Sequence, residues 1–264
     1  GVPVENVRIR LTQASQQVAD VRTDADGKAV IADLADGTYS VVANGPTGFQ
    51  VVAPPATVAV AVGTATALDL VVQPLVQILT LEPAVPSMSV GGSVQVTAKA
   101  IDINGQEIQQ FTSVTWFALS RAVAVSGDGL TGTLTGVYPT GSEGGGGFRL
   151  ILNGQVFDLG ATVRSKITGV VRKRTPQEGA TQAASQAASD LPEPGATVEL
   201  VKGESVVSTA VSGPDGRYAF EGLLAGSYTV RVANLMESYT ATAVSLELGA
   251  GLPVGTADLL IRPR

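Results

Sequence analysis

The chain has 264 residues, which is enough for two or three domains, and its formal net charge at pH 7 is −6. It contains no histidine and no cysteine, so Ser-His-Asp triads, Cys-His dyads, disulfides and zinc sites built from these residues are excluded. Its 17 Lys and Arg residues form no basic stripe, and we therefore expect no binding to nucleic acid.

The composition favours β-strands. Hydrophobic residues make up 44% of the chain, and many of them are Val and Ala. β-Branched side chains pack well on a pleated sheet, while 31 glycines and 14 prolines supply tight turns. No stretch shows a sustained 3.6-residue apolar period, so the sequence predicts an all-β protein in which helix is scarce.

A turn followed by two strands is predicted at residues 24–43, DADGKAVIADLADGTYSVVA. Asp26-Gly27 is a strong hairpin signal, because glycine accepts a positive φ without steric cost. Gly37 marks the next tight connection, and apolar residues alternate on both sides of it. We expect the core-facing side chains of this stretch to be those of Ala29, Ile31, Leu34, Tyr39 and Val41.

Residues 51–68 carry no charge and could be mistaken for a membrane span. Pro54-Pro55 would break a helix, however, and Val58, Val60 and Val62 alternate with the period of a strand. We therefore predict two strands here and no membrane span.

The next segment, residues 75–165, has a different pattern. A VGGS turn at 90–93 is followed by a hairpin at Asn104-Gly105, by Val-Thr-Trp at 114–116 and by a closing hairpin at Asn153-Gly154. This pattern resembles the bacterial Ig-like domain group, and the resemblance implies that Trp116 fills the core of a sandwich. The stretch GSEGGGGF at 141–148 departs from the group's usual short turn and is expected to be a flexible hairpin tip.

The early motif then returns. GPDGRYAFEGLLAGSYTVRV at 213–232 matches residues 24–43 at an offset of 189 positions. At the same offset Pro3 falls on Pro192 and, after a loop where the register slips, Asp69 falls on Asp258. A match that resumes after a loop indicates two copies of a whole domain. We call residues 1–74 the first copy and residues 166–264 the second copy.

Both copies carry a Val/Ile-x-Leu strand, an Asp-Gly turn and the pattern L-x-x-G-x-Y-x-V. In these motifs they resemble carboxypeptidase-regulatory-like domains, of the transthyretin-like and collagen-adhesin B-type group. The resemblance implies small antiparallel sandwiches and says little about activity. Some collagen-adhesin B-type domains form Lys–Asn crosslinks, but the final strands expected at 68–73 and 257–262 contain no Asn to pair with Lys28 or Lys166.

The predicted fold is therefore three tandem Ig-like or transthyretin-like antiparallel β-sandwiches, at residues 1–74, 75–165 and 166–264. The joints, Gln73-Pro74-Leu75 and Arg164-Ser165-Lys166, are not flexible Gly/Ser linkers, so we expect a fairly stiff rod. A low-complexity stretch at 175–190 is expected to be a surface loop of the third sandwich.

The first copy lacks one strand. The second copy begins with an opening strand at residues 167–171, whereas the first copy starts only eight residues before Ile9. We therefore expect the first copy to expose backbone groups and part of its core. Two sources for the missing strand stay open: upstream residues of a longer precursor, or a neighbouring molecule that donates a strand by β-augmentation.

No catalytic, cofactor-binding or metal-binding residue is predicted. The stretch from Asp24 to Gly27 resembles the start of a calcium loop, but Arg22 stands where the first ligand should be and Pro214 replaces a ligand in the second copy, so we expect a hairpin turn. Sugar-binding modules with related folds use exposed aromatic platforms, and the one Trp of this chain is assigned to a core.

These patterns favour a non-catalytic, extracellular structural or adhesive protein on a bacterial or archaeal surface. It would be a stiff spacer or an assembly subunit of a fibre, a layer or a larger surface protein, with strand donation into the first copy as one route to assembly. The expected partners are other protein subunits or neighbouring domains, including copies of the chain itself. The alternative is a glycan- or ligand-binding accessory module of a secreted enzyme.

Overall fold

The fold is that of a computed structural model, which describes residues 2–52, 54–175 and 190–264. Every regular element in these ranges is a β-strand, which confirms the predicted all-β class. None of these residues belongs to a helix long and apolar enough to cross a membrane. The low-complexity loop predicted at 175–190 lies outside the described residues, except for its two end residues.

The chain packs into two compact units. The first consists of Gly1–Thr80, Ala98–Ser113 and Leu152–Gln155, and the second of Leu81–Thr97, Val114–Ile151 and Val156–Arg264. The first copy belongs to the first unit, and the second copy to the second unit. The division into three sandwiches at 1–74, 75–165 and 166–264 stays a prediction.

The strands of the first copy are β1 (Arg8–Gln13), β2 (Gln16–Arg22), β3 (Gly37–Asn44), β4 (Phe49–Val52), β5 (Thr57–Val60) and β6 (Val71–Pro74). The next strands are β7 (Ile78–Glu82), β8 (Ser87–Ser89), β9 (Ser93–Ile101), β10 (Val114–Ala118), β11 (Val123–Asp128), β12 (Thr131–Gly136) and β13 (Gly146–Leu152). The remaining described strands are β14 (Gln155–Arg174), β15 (Asp190–Pro192), β16 (Thr197–Lys202), β17 (Ser205–Val211), β18 (Arg217–Leu223), β19 (Gly226–Val232), β20 (Tyr239–Ala241), β21 (Val244–Leu248), β22 (Gly255–Thr256) and β23 (Leu259–Pro263).

The two copies have matching four-stranded antiparallel sheets. The order is β2-β1-β3-β5 in the first copy and β17-β16-β19-β21 in the second copy. Each copy also has a second pairing near its end, β4 with β6 and β20 with β23. Phe49 pairs with Pro74, and Tyr239 pairs with Pro263, so these two aromatic residues occupy equivalent places in the two copies.

The polar contacts inside the two copies match as well. The hydroxyl of Tyr39 donates to the carbonyl of Ala35 at 2.8 Å, and that of Tyr228 donates to the carbonyl of Leu224 at 3.0 Å. Both tyrosines are buried, at 2% and 5% exposure. Two sequences 189 positions apart therefore build the same buried hydrogen bond, so the interpretation of the chain as a repeat holds at the level of contacts.

Each copy has a further buried hydroxyl, which connects the residues just before β1 or β16 to the end of β2 or β17. Thr23 accepts from the amide of Val7 at 2.9 Å and donates to the carbonyl of Val4 at 2.7 Å. In the second copy Ser212 accepts from the amide of Ala196 at 2.9 Å and donates to the carbonyl of Glu193 at 2.6 Å. A serine replaces the threonine without loss of either bond, since only the hydroxyl is needed.

The predicted core position of Trp116 is confirmed in the second unit. Its indole stacks on the ring of Phe148 with centroids 6.2 Å apart, and its Nε1 donates to the carbonyl of Gly129 at 2.9 Å. Gly127 and Gly132 are cross-strand partners in β11 and β12, and a Cβ on either would lie within 3.0 Å of the indole. The glycine pair therefore forms a flat slot for the tryptophan.

The strand β14 passes without interruption through the predicted joint at Arg164-Ser165-Lys166. Its first half pairs with β8, and its second half pairs with strands of the second copy. At the end of β14, Arg174 donates two hydrogen bonds to Asp190, at 2.9 and 3.1 Å, and so holds the pKa of that carboxyl below its ordinary value.

We predict that Gly127→Ala destabilises the fold around Trp116 by about 1–3 kcal/mol, because the new methyl group would lie 2.5 Å from the indole Cδ1. Chemical denaturation followed by the fluorescence of the single tryptophan measures the change. Gly141→Ala is the matched control, since a Cβ there meets open space. Equal midpoints for the two variants would contradict the role of the slot.

Candidate functional site

In the second copy, a strand is inserted between two neighbours. Residues 165–173 of β14 run antiparallel to β18 on one side and parallel to β22 and β23 on the other. The antiparallel partners are Ser165↔Leu223, Ile167↔Phe220, Thr168↔Ala219, Gly169↔Tyr218 and Val170↔Arg217. The parallel partners are Ile167↔Gly255, Thr168↔Thr256, Val171↔Leu259, Arg172↔Leu260 and Lys173↔Ile261.

Further hydrogen bonds hold the inserted strand. The amide of Val171 donates to the carbonyl of Gly216 at 2.8 Å, and the carbonyl of Val171 accepts from the amide of Glu193 at 2.9 Å. The amide of Val170 donates to Oδ1 of Asp258 at 3.0 Å. The strand thus uses backbone groups on both sides, together with one carboxylate.

The side chains of the inserted strand complete a core. Ile167 and Val171 have no exposed surface, and they belong to one apolar cluster of buried residues. The other buried members of that cluster are Val198, Leu200, Tyr218, Phe220, Tyr228, Val230, Leu248, Ala257, Leu259 and Ile261. Burial of this many apolar side chains is the main source of stability for a sandwich of this size.

In the first copy the corresponding place is open. The residues that match β18 are 28–34, and they form no strand, although the motif predicted one there. That prediction was wrong for the first copy and right for the second. The physical reason is that β18 pairs with β14, whereas no described strand lies beside residues 28–34, so their backbone has no ladder to join.

A cavity of about 610 Å³ occupies this place. It is lined by Lys28, Ala29, Ile31 and Leu34 on one side and by residues 66–72 on the other. Its floor is formed by Ile9, Leu11, Val58 and Val60. We call this cavity the open groove. At the offset of 189, residues 28–34 on one side match β18. Residues 66–72 on the other side match residues 255–261, which contain β22 and the start of β23.

The core of the first copy is incomplete as a consequence. Its apolar cluster contains three buried residues, Leu11, Tyr39 and Val41, among the residues described. Ile31, Leu70 and Val72 are only half-buried, whereas the residues that match them in the second copy, Phe220, Leu259 and Ile261, are at most 4% exposed. The expected exposure of part of this core is therefore confirmed.

The groups that hold the inserted strand have counterparts at the open groove. Gly27 matches Gly216, Val4 matches Glu193 and Asp69 matches Asp258. All three of these first-copy residues line the groove. The first copy therefore presents a backbone carbonyl, a backbone amide and a carboxylate at the positions that bind the strand in the second copy.

The largest difference between the two sites is at one position. Tyr218, which is buried against Phe220, donates a hydrogen bond to the carbonyl of Ala257. Burial, together with the carboxylate of Asp258, raises the pKa of Tyr218, so its phenol stays protonated and remains a donor. Ala29 stands at this position in the first copy. Sequence reasoning missed this exchange, although the aligned repeat shows it.

The stretch that resembles the start of a calcium loop forms a turn. Asp24 accepts hydrogen bonds through Oδ1 from the amides of Asp26 and Lys28, at 3.0 and 2.9 Å, which is the geometry of a turn. Within the described residues, no group of three or more potential ligands is placed to hold a metal ion. Tyr239 lies beside a cation, with the ammonium of Lys173 4.7 Å from its ring centroid.

We predict that Tyr218→Phe lowers stability at pH 7 by about 1–3 kcal/mol, because the carbonyl of Ala257 loses its donor. The raised pKa adds a pH dependence. The stabilisation by the protonated phenol is present below pH 10, the ordinary pKa of tyrosine, and is lost as the pH rises further. Stability of the wild type should therefore fall more steeply than that of the variant between pH 10 and 12.

Denaturation followed by circular dichroism measures this difference in slope. Tyr228→Phe serves as the control, since it removes a hydroxyl from the same copy while leaving Tyr218 in place. An equally steep loss of stability in the Tyr218→Phe variant would show that another group causes the alkaline transition.

Comparison with known families supports one of the resemblances. A model of the carboxypeptidase regulatory-like domain matches residues 185–259, which lie in the second copy. The resemblance of the second copy to this family is thus supported by an independent match. The family assignments of the first copy and of residues 75–165 stay predictions. No curated protein matches the chain.

Several solved structures are similar to the chain at low identity. The major pilin subunit BcpA of Bacillus cereus is 11% identical, with 99% of this chain and 95% of that chain covered and a TM-score of 0.32. The major pilin SpaD of Corynebacterium diphtheriae is 14% identical, with coverages of 100% and 91% and a TM-score of 0.32. Domains 4 and 5 of the S-layer protein SbsC are 17% identical, with coverages of 59% and 96% and a TM-score of 0.28. At these values the similarity carries no argument about function.

Proposed function

We propose that the chain is a non-catalytic structural or adhesive protein of the bacterial cell surface or the extracellular space, and that it assembles by accepting a β-strand from another protein subunit. The observation that carries this proposal is the open groove of the first copy, set beside the filled site of the second copy. One chain contains both the open groove and a site of matching residues that a strand of the same chain fills.

The groove has the properties of a strand acceptor. An inserted strand would bury Ile31, Leu70 and Val72, which are half-buried, as their counterparts are buried in the second copy. It would also give residues 28–34 a backbone partner. Addition of a strand to an unpaired edge draws on main-chain hydrogen bonds for affinity and on side-chain pockets for specificity.

The chemistry of the chain supports a structural role. With no histidine or cysteine, the commonest catalytic bases and nucleophile pairs are missing from the sequence. The largest aromatic side chains of both copies are used inside the fold, where Tyr39 and Tyr228 hydrogen-bond to backbone carbonyls. The groove itself is lined mainly by aliphatic residues, which suits a peptide strand better than a sugar.

We predict that the chain associates as its concentration is raised, and that Leu70→Arg abolishes the association. The introduced cation would lie in the apolar groove, where an unpaired charge is costly. Sedimentation velocity measures the size distribution, and negative-stain electron microscopy shows whether the assemblies are linear. Val18→Arg is the matched control, because Val18 lies on β2, is 45% exposed and does not line the groove.

Circular dichroism establishes that both variants are folded. A wild-type chain that stays a monodisperse monomer at the highest concentration would overturn assembly through the groove. So would a Leu70→Arg variant that assembles as readily as Val18→Arg.

A further inference from the structure

The side chains that line the open groove differ in size from those at the matched positions of the filled site. Five matched positions carry smaller side chains in the first copy. They are Ala29 for Tyr218, Ile31 for Phe220, Val58 for Leu246, Val60 for Leu248 and Val72 for Ile261. Other matched positions of the lining carry larger side chains, among them Val7 for Ala196, Ile9 for Val198, Thr66 for Gly255 and Leu68 for Ala257. The largest single change in side-chain volume is the loss from Tyr218 to Ala29.

The loss of side-chain volume from Tyr218 to Ala29 lies at the position that, in the second copy, is opposite the centre of the inserted strand. In the second copy this central residue is Gly169, and a Cβ there would collide with the carbonyl of Ala257 and lie 2.6 Å from the hydroxyl of Tyr218. Only glycine fits, because the tyrosine fills the space and its hydrogen bond holds that carbonyl over the strand. Ala29 removes both the ring and the hydrogen-bond donor.

We propose that the open groove is specific for a strand of another subunit that carries a large apolar residue at its centre, facing Ala29. This inference rests on the proposed function and names the ligand of the same site. Protein interiors are close-packed, so the volume that the exchange of Tyr218 for Ala29 leaves open must be supplied by the strand for the core to be complete. A strand with glycine at the centre would leave a void beside Ala29.

The expected strand register and the charge of the groove further restrict which strand sequences can bind. By analogy with β14, the strand runs antiparallel to residues 28–34 and parallel to residues 66–72, with its central residue opposite Ala29. The carboxylates of Asp26 and Asp69 line the groove together with the single cation of Lys28. This acidic excess complements a basic strand, and the strand seated in the second copy itself carries Lys166, Arg172 and Lys173.

Two peptides test the inference with the full chain. The first has the sequence of residues 165–173, SKITGVVRK, and the second is the same peptide with Gly169→Leu. We expect the leucine peptide to bind about tenfold more tightly or better, since burial of a leucine side chain is worth at least that factor. Fluorescence anisotropy of labelled peptides measures both dissociation constants.

A substitution in the groove should reverse the preference. Ala29→Tyr restores the residue of the second copy, so this variant should bind the glycine peptide about tenfold more tightly than the leucine peptide. Asp69→Ala, an exposed position, should weaken both peptides equally by removing the carboxylate that accepts a backbone amide in the second copy. Val18→Arg should bind as the wild type does.

The outcomes separate the two proposals. Equal affinities, or tighter binding of the glycine peptide by the wild type, would overturn the specificity while leaving the groove a strand acceptor. Binding of neither peptide would overturn the groove as an acceptor, and with it the proposed function. If the chain bound the leucine peptide selectively but never associated, the inferred specificity would stand. The proposal that another subunit supplies the strand would then be overturned.

Discussion

The insertion of one strand between two others determines whether each repeated sandwich has a closed core. In the second copy, residues 165–173 pair on both sides and place Ile167 and Val171 in a cluster without exposed surface. In the first copy nothing in the described chain takes that place, and a cavity of about 610 Å³ remains. Both backbone pairing and apolar burial depend on this insertion, because the same strand supplies them together.

The effect of the insertion reaches beyond the strand itself. Residues 217–223 form β18 beside β14, whereas the matching residues 28–34 form no strand. The sheet on the opposite side is the same in both copies, and it keeps its buried tyrosine and its hydrogen bond to a backbone carbonyl. In each copy the four-stranded sheet is formed apart from the inserted strand, whereas the second layer of the first copy keeps the pairing of β4 with β6 and lacks a counterpart of β18.

A chain that carries an open and a filled version of one site provides an internal reference for the site's chemistry. Differences between the two versions fall on the walls, where Ala29 replaces Tyr218 and Ile31 replaces Phe220. The elements that bind the backbone of the strand are kept, as Gly27 and Asp69 show by matching Gly216 and Asp258. When two grooves accept strands of different sequence, the groups that bind the strand backbone are expected to be the same, and the side-chain pockets are expected to differ.

The sequence by itself determined the all-β class and the repeat. Alternating apolar residues, Asp-Gly turns and the offset of 189 positions identified equivalent residues such as Tyr39 and Tyr228, because these signals are local and survive without knowledge of the fold. Only the tertiary structure decided that residues 28–34 are not a strand, that a cavity lies beside them and that Ala29 lines this cavity. A strand exists only when a neighbour accepts its hydrogen bonds, and a pocket exists only when distant segments meet, so neither follows from local pattern alone.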